Sequence, residues 1–377
     1  MTSFAGGPKR GLMTLLLWGV PQLSLAAKFN MRPGVTEMSV RVQYIHHIGL
    51  WVCVIVGIIV FGAMFYSMFA HRRSRNPTPA TFSDSIVVEF LWTLIPVLIL
   101  VGMAIPATTA LRDIEDNENS DLTVLITASQ WKWHYKYLDS GISYYSNIAT
   151  PDEQIENLQP KDEYYLLDVD KPLVLPTNKK IRFLVTADDV IHSWWLPDFA
   201  VKQDAIPGFI NEAWARIPVA GVYRGQCAEL CGVGHAYMPI VADVRPEAEF
   251  DAWIEGQRLA AELAGEAAVA ARAKTWTMVE LLPTGEEVFV KHCATCHQRD
   301  GRGQGAKYPA LVGSEIATGA ITDHLNRVMN GKTDTEMQAW APQLSDLEIA
   351  AVITYERNSW GNDTGDIVQP ITVYEAR

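Results

Sequence analysis

The sequence predicts a multidomain membrane protein in which a two-helix transmembrane hairpin precedes an all-β domain and a small all-α domain. Three observations lead there. Two long apolar runs lie at residues 48–70 and 86–111, strand-like alternation fills residues 122–245, and helical periodicity returns after Pro283. At 377 residues the chain has length for more than one core.

The first run, IGLWVCVIVGIIVFGAMFYSMFA, carries no charge over 23 residues. At about 1.5 Å per residue it crosses a hydrocarbon core of roughly 30 Å. The second, IVVEFLWTLIPVLILVGMAIPATTAL, holds one ionisable group, Glu89, and two prolines, Pro96 and Pro106, which membrane helices accommodate better than soluble ones. The expectation is a hairpin over residues 40–111 with spans near 48–70 and 86–110. Arg72, Arg73 and Arg75 directly follow the first run, so the positive-inside rule sets the connecting loop in the cytoplasm and both ends of the mature chain outside. Upstream, Lys9 and Arg10 precede GLMTLLLWGVPQLSLAA, which is too short and Pro-interrupted for a span. It predicts a signal peptide over residues 1–27, cleaved near Ala26 or Ala27, against the alternative of a retained amphipathic N-terminus.

Charge follows the same division. The formal net charge is −12, yet the first 80 residues carry eight basic and one acidic side chain, whereas the remainder carries 23 basic and 42 acidic. An acidic outer portion steers a basic soluble donor by long-range attraction or keeps an exported domain soluble. No nucleic-acid partner is expected.

Within that portion, LTVLITASQWKWHYKY alternates aromatic and polar residues, KPLVLPTNKKIRFLVTADD has β-branched runs broken by Pro and Asn, and EAWARIPVAGVYRGQC continues the habit. Residues 112–246 therefore read as a β-sandwich or Greek-key barrel, with SGISYYSNIATPDEQIENLQPKDEYY as loop and hairpin. An Ala-rich stretch with Glu and Arg makes residues 247–280 a helical linker, and residues 281–377 a separate all-α domain. The sequence contains no internal repeat and no Gly-rich phosphate cradle.

Four of the five cysteines fall in the exported portion, where disulfides form readily. Their spacing argues for metal chemistry instead, because each pair sits among other ligating side chains. Cys53 is alone in the first span and reads as a small packing residue. In GQCAELCGVGHAYM, Cys227 and Cys231 are four apart and are followed by His235 and Met238. Thiolates with imidazole suit copper or zinc, and a thioether favours copper, whose electron-transfer sites keep Met as a weak ligand. A second imidazole is offered upstream by His192 in DDVIHSWWLPDFAVKQDAIPG; a lone histidine in such apolar company would otherwise be a packed core residue.

Two N-terminal spans combined with QWKWHY, VIHSWWLPDFAVKQDAIPG and CAELCGVGHAYM closely resemble subunit II of haem–copper cytochrome c oxidases, over roughly residues 40–245. The resemblance implies a cupredoxin domain with a binuclear copper A centre: Cys227 and Cys231 bridging, His192 and His235 terminal, Met238 and the Glu229 backbone carbonyl weak. It further implies that the Glu229 side chain reaches a magnesium ion shared with subunit I, that Trp131 receives electrons above the copper, and that Glu89 stands at the mouth of a proton pathway. The competing readings are a solvated loop acid for Glu229, strand-face packing with Trp133 and Tyr135 for Trp131, and interfacial snorkelling for Glu89. Asp188, Asp189 and Asp204 near the copper loop are candidates for a donor-docking patch.

A second site stands on its own residues. CATCH, residues 293–297, has the CxxCH form that attaches c-type haem: Cys293 and Cys296 for the vinyl groups and His297 as proximal iron ligand. Met329 and Met337 compete for the sixth position. Met337 lies in a loop before a Pro-containing helix start, as in class I-like cytochrome c domains, and is the expected ligand; Met329 falls at a helix end where it would pack. Pro309 and Leu311 in YPALVG resemble the stretch beside the haem in that family. The whole implies an electron-input subunit of a respiratory oxidase in a bacterial cytoplasmic membrane, with its soluble domains on the periplasmic face. Its expected partners are subunit I with haem a and copper B, subunit III, and cytochrome c or a quinol:cytochrome c reductase as donor; the alternative is the input subunit of a copper A nitric oxide reductase.

Overall fold

The computed structural model describes residues 30–377 except Pro79 and Asp334, so the expected signal peptide at residues 1–27 lies outside the described residues. The chain divides between Phe250 and Asp251 into two compact units.

In the first unit, α1 (Glu37–Ala70) and α2 (Ile86–Ile114) form the hairpin. Both are long and apolar enough to cross a membrane, and their apolar side chains face outward along most of their length. α1 starts well before the expected span. Its 34 residues reach about 50 Å, so some 20 Å must project beyond a core of roughly 30 Å. A capping box starts it: Ser39 N donates to Thr36 Oγ1 at 3.0 Å, and Thr36 N donates to Ser39 Oγ at 2.9 Å. The cap is also tied to the β-domain, because Thr36 Oγ1 donates to the Phe199 carbonyl at 2.9 Å and Val35 N to that of Asp198 at 2.8 Å. At the matching end of α2, Asp113 pairs with Arg41 and its carbonyl accepts from Trp214 Nε1 at 3.0 Å. Lys180, 7% exposed, donates to the Glu118 carbonyl at 2.7 Å and sits 4.7 Å above the Trp214 ring. The hairpin is thus mounted on the β-domain by charge and hydrogen bonds at both helix ends.

The β-domain comprises β1 (Leu122–Ser129), β2 (Lys132–Tyr137), β3 (Ser143–Ser146), β4 (Leu173–Pro176), β5 (Lys180–Ala187), β6 (His192–Leu196), β7 (Val201–Ala205), β8 (Asn211–Arg216), β9 (Gly221–Cys227) and β10 (Pro239–Arg245). A one-turn helix, α3 (Asp152–Ile155), interrupts the polar connection after β3. One sheet has the order β3-β2-β1-β5-β8, the other β4-β10-β9-β6-β7. The β1–β5 and β4–β10 pairs are parallel and the rest antiparallel, as crossing between two sheets requires. Alternation places Val124, Ile126 and Ala128 of β1 inside with Trp133, Tyr135 and Tyr137 of β2, all with no exposed surface. Trp131 is not part of that face: it precedes β2 in the turn and is half-buried. Gly225 lets β9 pass close to β6, since a Cβ there would lie 2.0 Å from the Trp195 carbonyl oxygen.

α4 (Glu247–Ala273) starts in the last residues of the first unit; in the second it leads into α5 (Met278–His292), α6 (Ala294–His297), α7 (Glu315–Thr318), α8 (Ile321–Asn330), α9 (Asp346–Arg357) and α10 (Pro370–Ala376). Phe289, Leu325, Val328, Ile349 and Ile353 centre its core. The expected linker is less free than its composition implies. Asp346 accepts from Arg272 of α4 at 2.7 Å and from the C-terminal Arg377 at 2.6 Å, and Arg272 lies 4.0 Å above the Tyr374 ring. The end of α4 is therefore part of the all-α unit. Cys53, expected to pack, is exposed on α1.

α5 and α9 cross at Gly285, where a Cβ would sit 2.2 Å from the Ala351 carbonyl oxygen. Gly285→Ala is expected to destabilise the all-α unit by about 1–3 kcal/mol through overpacking, read as a lower denaturant midpoint of the full chain followed by absorbance of its C-terminal unit.

Candidate metal centres

Strand pairing assembles the first site. β6 begins at His192 and β9 ends at Cys227; they pair with Trp194 opposite Cys227, so both chain directions deliver ligands to one end of the sandwich. The loop to β10 then returns over them. Cys227 N donates to the Met238 carbonyl at 3.3 Å, and Trp133 Nε1 donates to the same oxygen at 3.2 Å. This locks Met238 beneath the loop, 1% exposed.

The donor atoms converge. Cys227 Sγ and Cys231 Sγ lie 3.8 Å apart, far beyond the roughly 2.05 Å of a disulfide. His192 Nδ1 is 4.0 Å from Cys227 Sγ and 3.3 Å from Met238 Sδ; His235 Nδ1 is 3.5 Å from Cys231 Sγ, which is 3.6 Å from Met238 Sδ. The Glu229 carbonyl oxygen is 3.3 Å from Cys227 Sγ, while the Glu229 side chain is exposed. His192, Cys227 and Cys231 form the cluster of ligating atoms found among the described residues, and all three are buried. Two soft sulfurs at bridging separation, two imidazole nitrogens and a thioether in a buried pocket fit copper.

Electrostatics agree with a cation site. A hydrogen bond from Cys231 lowers the Cys227 thiol, and the same pairing with burial pushes Cys231 upward. Burial opposes charge on His192, but the Asp189 carboxylate and Cys227 outweigh it and raise its pKa. Asp189 is lowered: burial works against it, and hydrogen bonds from His192, Gln130 N and Val190 N prevail.

Trp131 touches the site directly. Its Nε1 donates to the Cys231 carbonyl at 3.1 Å, beside Gln130 Nε2, which donates to the same oxygen at 2.8 Å. The ring lies against the loop glycines: a Cβ on Gly234 would be 2.2 Å from Trp131 Cδ2, and one on Gly232, at φ +114°, 3.1 Å from Cζ2. Sequence reasoning missed Gln130 and both glycines. The signal was present in the Gly-Val-Gly spacing, which marks a close approach only once the approaching residue is known. Among the acids expected to dock a donor, Asp204 is beside Lys202 at 3.4 Å, whereas Asp189 turns inward. Glu89 lies exposed in the first turn of α2, and its carbonyl accepts from Thr93 Oγ1 at 2.9 Å.

The second site occupies the α5–α6 corner. Cys293 caps α5, Cys296 and His297 lie in α6, and both cysteines are partly buried and outside any disulfide. Burial pushes Cys296 up to about 11. His297 Nδ1 is 2.9 Å from the Pro309 carbonyl oxygen; donation there leaves Nε2 as the lone-pair nitrogen, the arrangement a metal-bound imidazole needs. These residues fit a thioether-linked haem. Met337 is in a loop and partly buried against the core, its carbonyl accepting from Lys332 N at 2.8 Å; Met329, 3% exposed, is packed in the core from α8.

Known proteins match in three segments. A family model for "Cytochrome C oxidase subunit II, periplasmic domain" matches residues 122–245, one for the transmembrane domain of that subunit matches residues 24–109, and one for "Cytochrome C oxidase, cbb3-type, subunit III" matches residues 280–355. "Probable cytochrome c oxidase subunit 2" of Rickettsia felis is 39% identical over 225 residues, 60% of this chain and 70% of that protein. The chain belongs to the cytochrome c oxidase subunit II family. "Cytochrome c oxidase subunit 2" of Cereibacter sphaeroides is 34% identical over 243 residues, 61% of this chain and 80% of that protein. A solved structure of the periplasmic domain of subunit II of cytochrome oxidase (CoxB) of Bradyrhizobium japonicum shares 42% identity, covering 37% of this chain and 95% of that one, with a TM-score of 0.34. This subunit II therefore has two membrane-spanning helices, a cupredoxin domain and a C-terminal region matching a cytochrome c domain, and is a non-catalytic subunit of the oxidase.

Because Gly234 and Trp131 are in contact, Gly234→Ala is expected to displace the indole from the Cys231 carbonyl. The expected readout is a blue-shifted or red-shifted Trp fluorescence relative to the parent chain, with loss of the shift in a Trp131→Phe background.

Proposed function

We propose that this subunit II accepts electrons at a covalently held haem c and passes them through a binuclear copper A centre to haem a of subunit I, where oxygen is reduced to water with proton pumping. The buried cluster of Cys227, Cys231, His192 and Met238, with half-buried His235 beside Cys231, carries the reading. Copper and haem, when bound, supply one-electron chemistry. The chain's own residues would hold and orient them: Cys227, Cys231, His192, His235 and Met238 would bind copper, strand ends at His192 and Cys227 would limit ligand movement, and the buried side of the pocket would keep solvent from reorganising around a transferred charge.

Trp131 is the proposed receiving group, supported by its bond to the backbone of a copper ligand. His297 and Met337 are the proposed axial ligands of haem c, with Cys293 and Cys296 as its covalent anchors. The exposed Glu229 carboxylate is free of the copper pocket, consistent with a magnesium ion at the boundary with subunit I. Glu89 as a proton-pathway mouth rests on the resemblance, as do subunit III and the donor. A tethered cytochrome replaces diffusional capture of a carrier with a local effective concentration. The relatives named as cytochrome c oxidase subunits favour oxygen over nitric oxide as the terminal acceptor.

Assay of the purified complex is expected to give two coppers and one haem c per subunit II, a near-infrared copper band, and oxygen consumption. Haem c without copper after metal repletion would overturn the oxidase reading, and turnover of nitric oxide alone would favour the alternative enzyme. For the haem, Met337→Ala is expected to abolish the low-spin methionine-ligated spectrum while the covalent haem remains; Met329→Leu, a volume-conserving core change, is expected to retain it.

A further inference from the structure

We propose that Asp189 is a positioning residue of the copper centre, fixing the His192 ring and tying the Trp131 turn to it, rather than a charge for docking a donor. The inference rests on the copper A reading above. Asp189 is only 30% exposed at its side chain, and three donors surround it. His192 Nε2 donates to Oδ1 at 2.9 Å, Val190 N donates to the same oxygen at 2.7 Å, and Gln130 N donates to Oδ2 at 2.7 Å.

Each bond does something different. The first fixes the proton of His192 on Nε2 and turns the Nδ1 lone pair toward Cys227 and Met238, as a carboxylate behind a metal-bound imidazole does. The second holds the carboxylate itself against its own loop. The third reaches 59 residues back in sequence to the turn that carries Trp131. From there Gln130 Nε2 and Trp131 Nε1 both return to the Cys231 carbonyl. A closed ring of contacts results: Asp189 to Gln130, Gln130 to Cys231, Cys231 to Cys227, Cys227 to His192, and His192 back to Asp189. A carboxylate engaged on both oxygens has little left for a partner protein, in contrast to Asp204 at the surface. Moving the acceptor atom therefore disturbs the ligand and the receiving turn together.

Charge and acceptor position can be separated by substitution in the full complex. Asp189→Asn removes the charge and keeps one accepting oxygen for His192 Nε2 and Val190 N, while its NH2 group takes the place of Oδ2 and cannot accept from Gln130 N; Asp189→Glu keeps the charge and displaces both acceptors by one methylene. Loss of copper to a chelator, the near-infrared band, and the salt dependence of reduction by an external donor are followed together. The proposal expects Asp189→Glu to lose copper about tenfold faster or more, with an altered band, and Asp189→Asn, which still holds His192 but not the Gln130 turn, to keep copper within about twofold of the parent while reduction by the external donor slows, both keeping the parent's salt dependence. Parental copper retention and band in Asp189→Glu would overturn it, as would equal copper loss in both variants. A weakened salt dependence in Asp189→Asn with the copper unchanged in both would identify a docking charge instead. A parent chain that holds no copper would sink the functional reading itself, independently of Asp189.

Discussion

The register between β6 and β9 is the constraint on which the first unit depends. With Trp194 opposite Cys227, His192 and Cys227 end at the same edge of the sandwich and turn the same way. A slip of one residue would send every side chain of the shifted strand to the other face and separate sulfur from imidazole by the thickness of a sheet. The core on either side enforces the register. Trp194 and Phe183 pack with ring centroids 5.0 Å apart, Gly225 admits the close passage of β9, and Ala228 N is bonded to the Ser193 carbonyl at 3.0 Å. The ligand loop is then only as mobile as its two anchors, Cys227 and Met238, allow.

Precision of this kind is useful only if the pocket is also held relative to the membrane. The contacts of Asp113 with Arg41 and Trp214, and of Lys180 with Glu118, fasten the β-domain to the outer ends of both helices. The Lys180 bond lies over the Trp214 ring and out of water, where such bonds are stronger than at an open surface, whereas the Arg41–Asp113 pair is exposed. The helices themselves offer almost no buried surface within the chain, as suits segments whose solvent is lipid and partner subunits.

The all-α unit solves a different problem with the same means. On the proposed reading, the α5–α6 corner at Cys293 would anchor the haem, and the Pro309 carbonyl would set the tautomer of His297. Buried Asp346, bonded to Arg272 and Arg377, extends the rigid body into the last turns of α4. What composition marks as a linker is in its second half a structural strut.

Much of this protein was legible without coordinates. Hydrophobic length determined the two spans, period-two alternation the β-domain, and the chemistry of CAELCGVGHAYM and CATCH the two candidate centres, because ligand type and spacing are local properties of the chain. The class of the family followed from the same motifs. Contacts between residues distant in sequence were not legible. The resemblance put Trp131 above the copper, with strand-face packing as its rival, but its contacts with Gly232 and Gly234 were not legible; Asp189 read as a docking charge before Gln130 and His192 closed on it; α1 read as a bare span before Thr36 bonded Phe199. Sequence by itself determined which chemistry the chain can hold, since that depends on side-chain type. Only the tertiary structure decided which groups orient the ligands, since hydrogen-bond partners are chosen by strand register and loop closure, which no local pattern encodes.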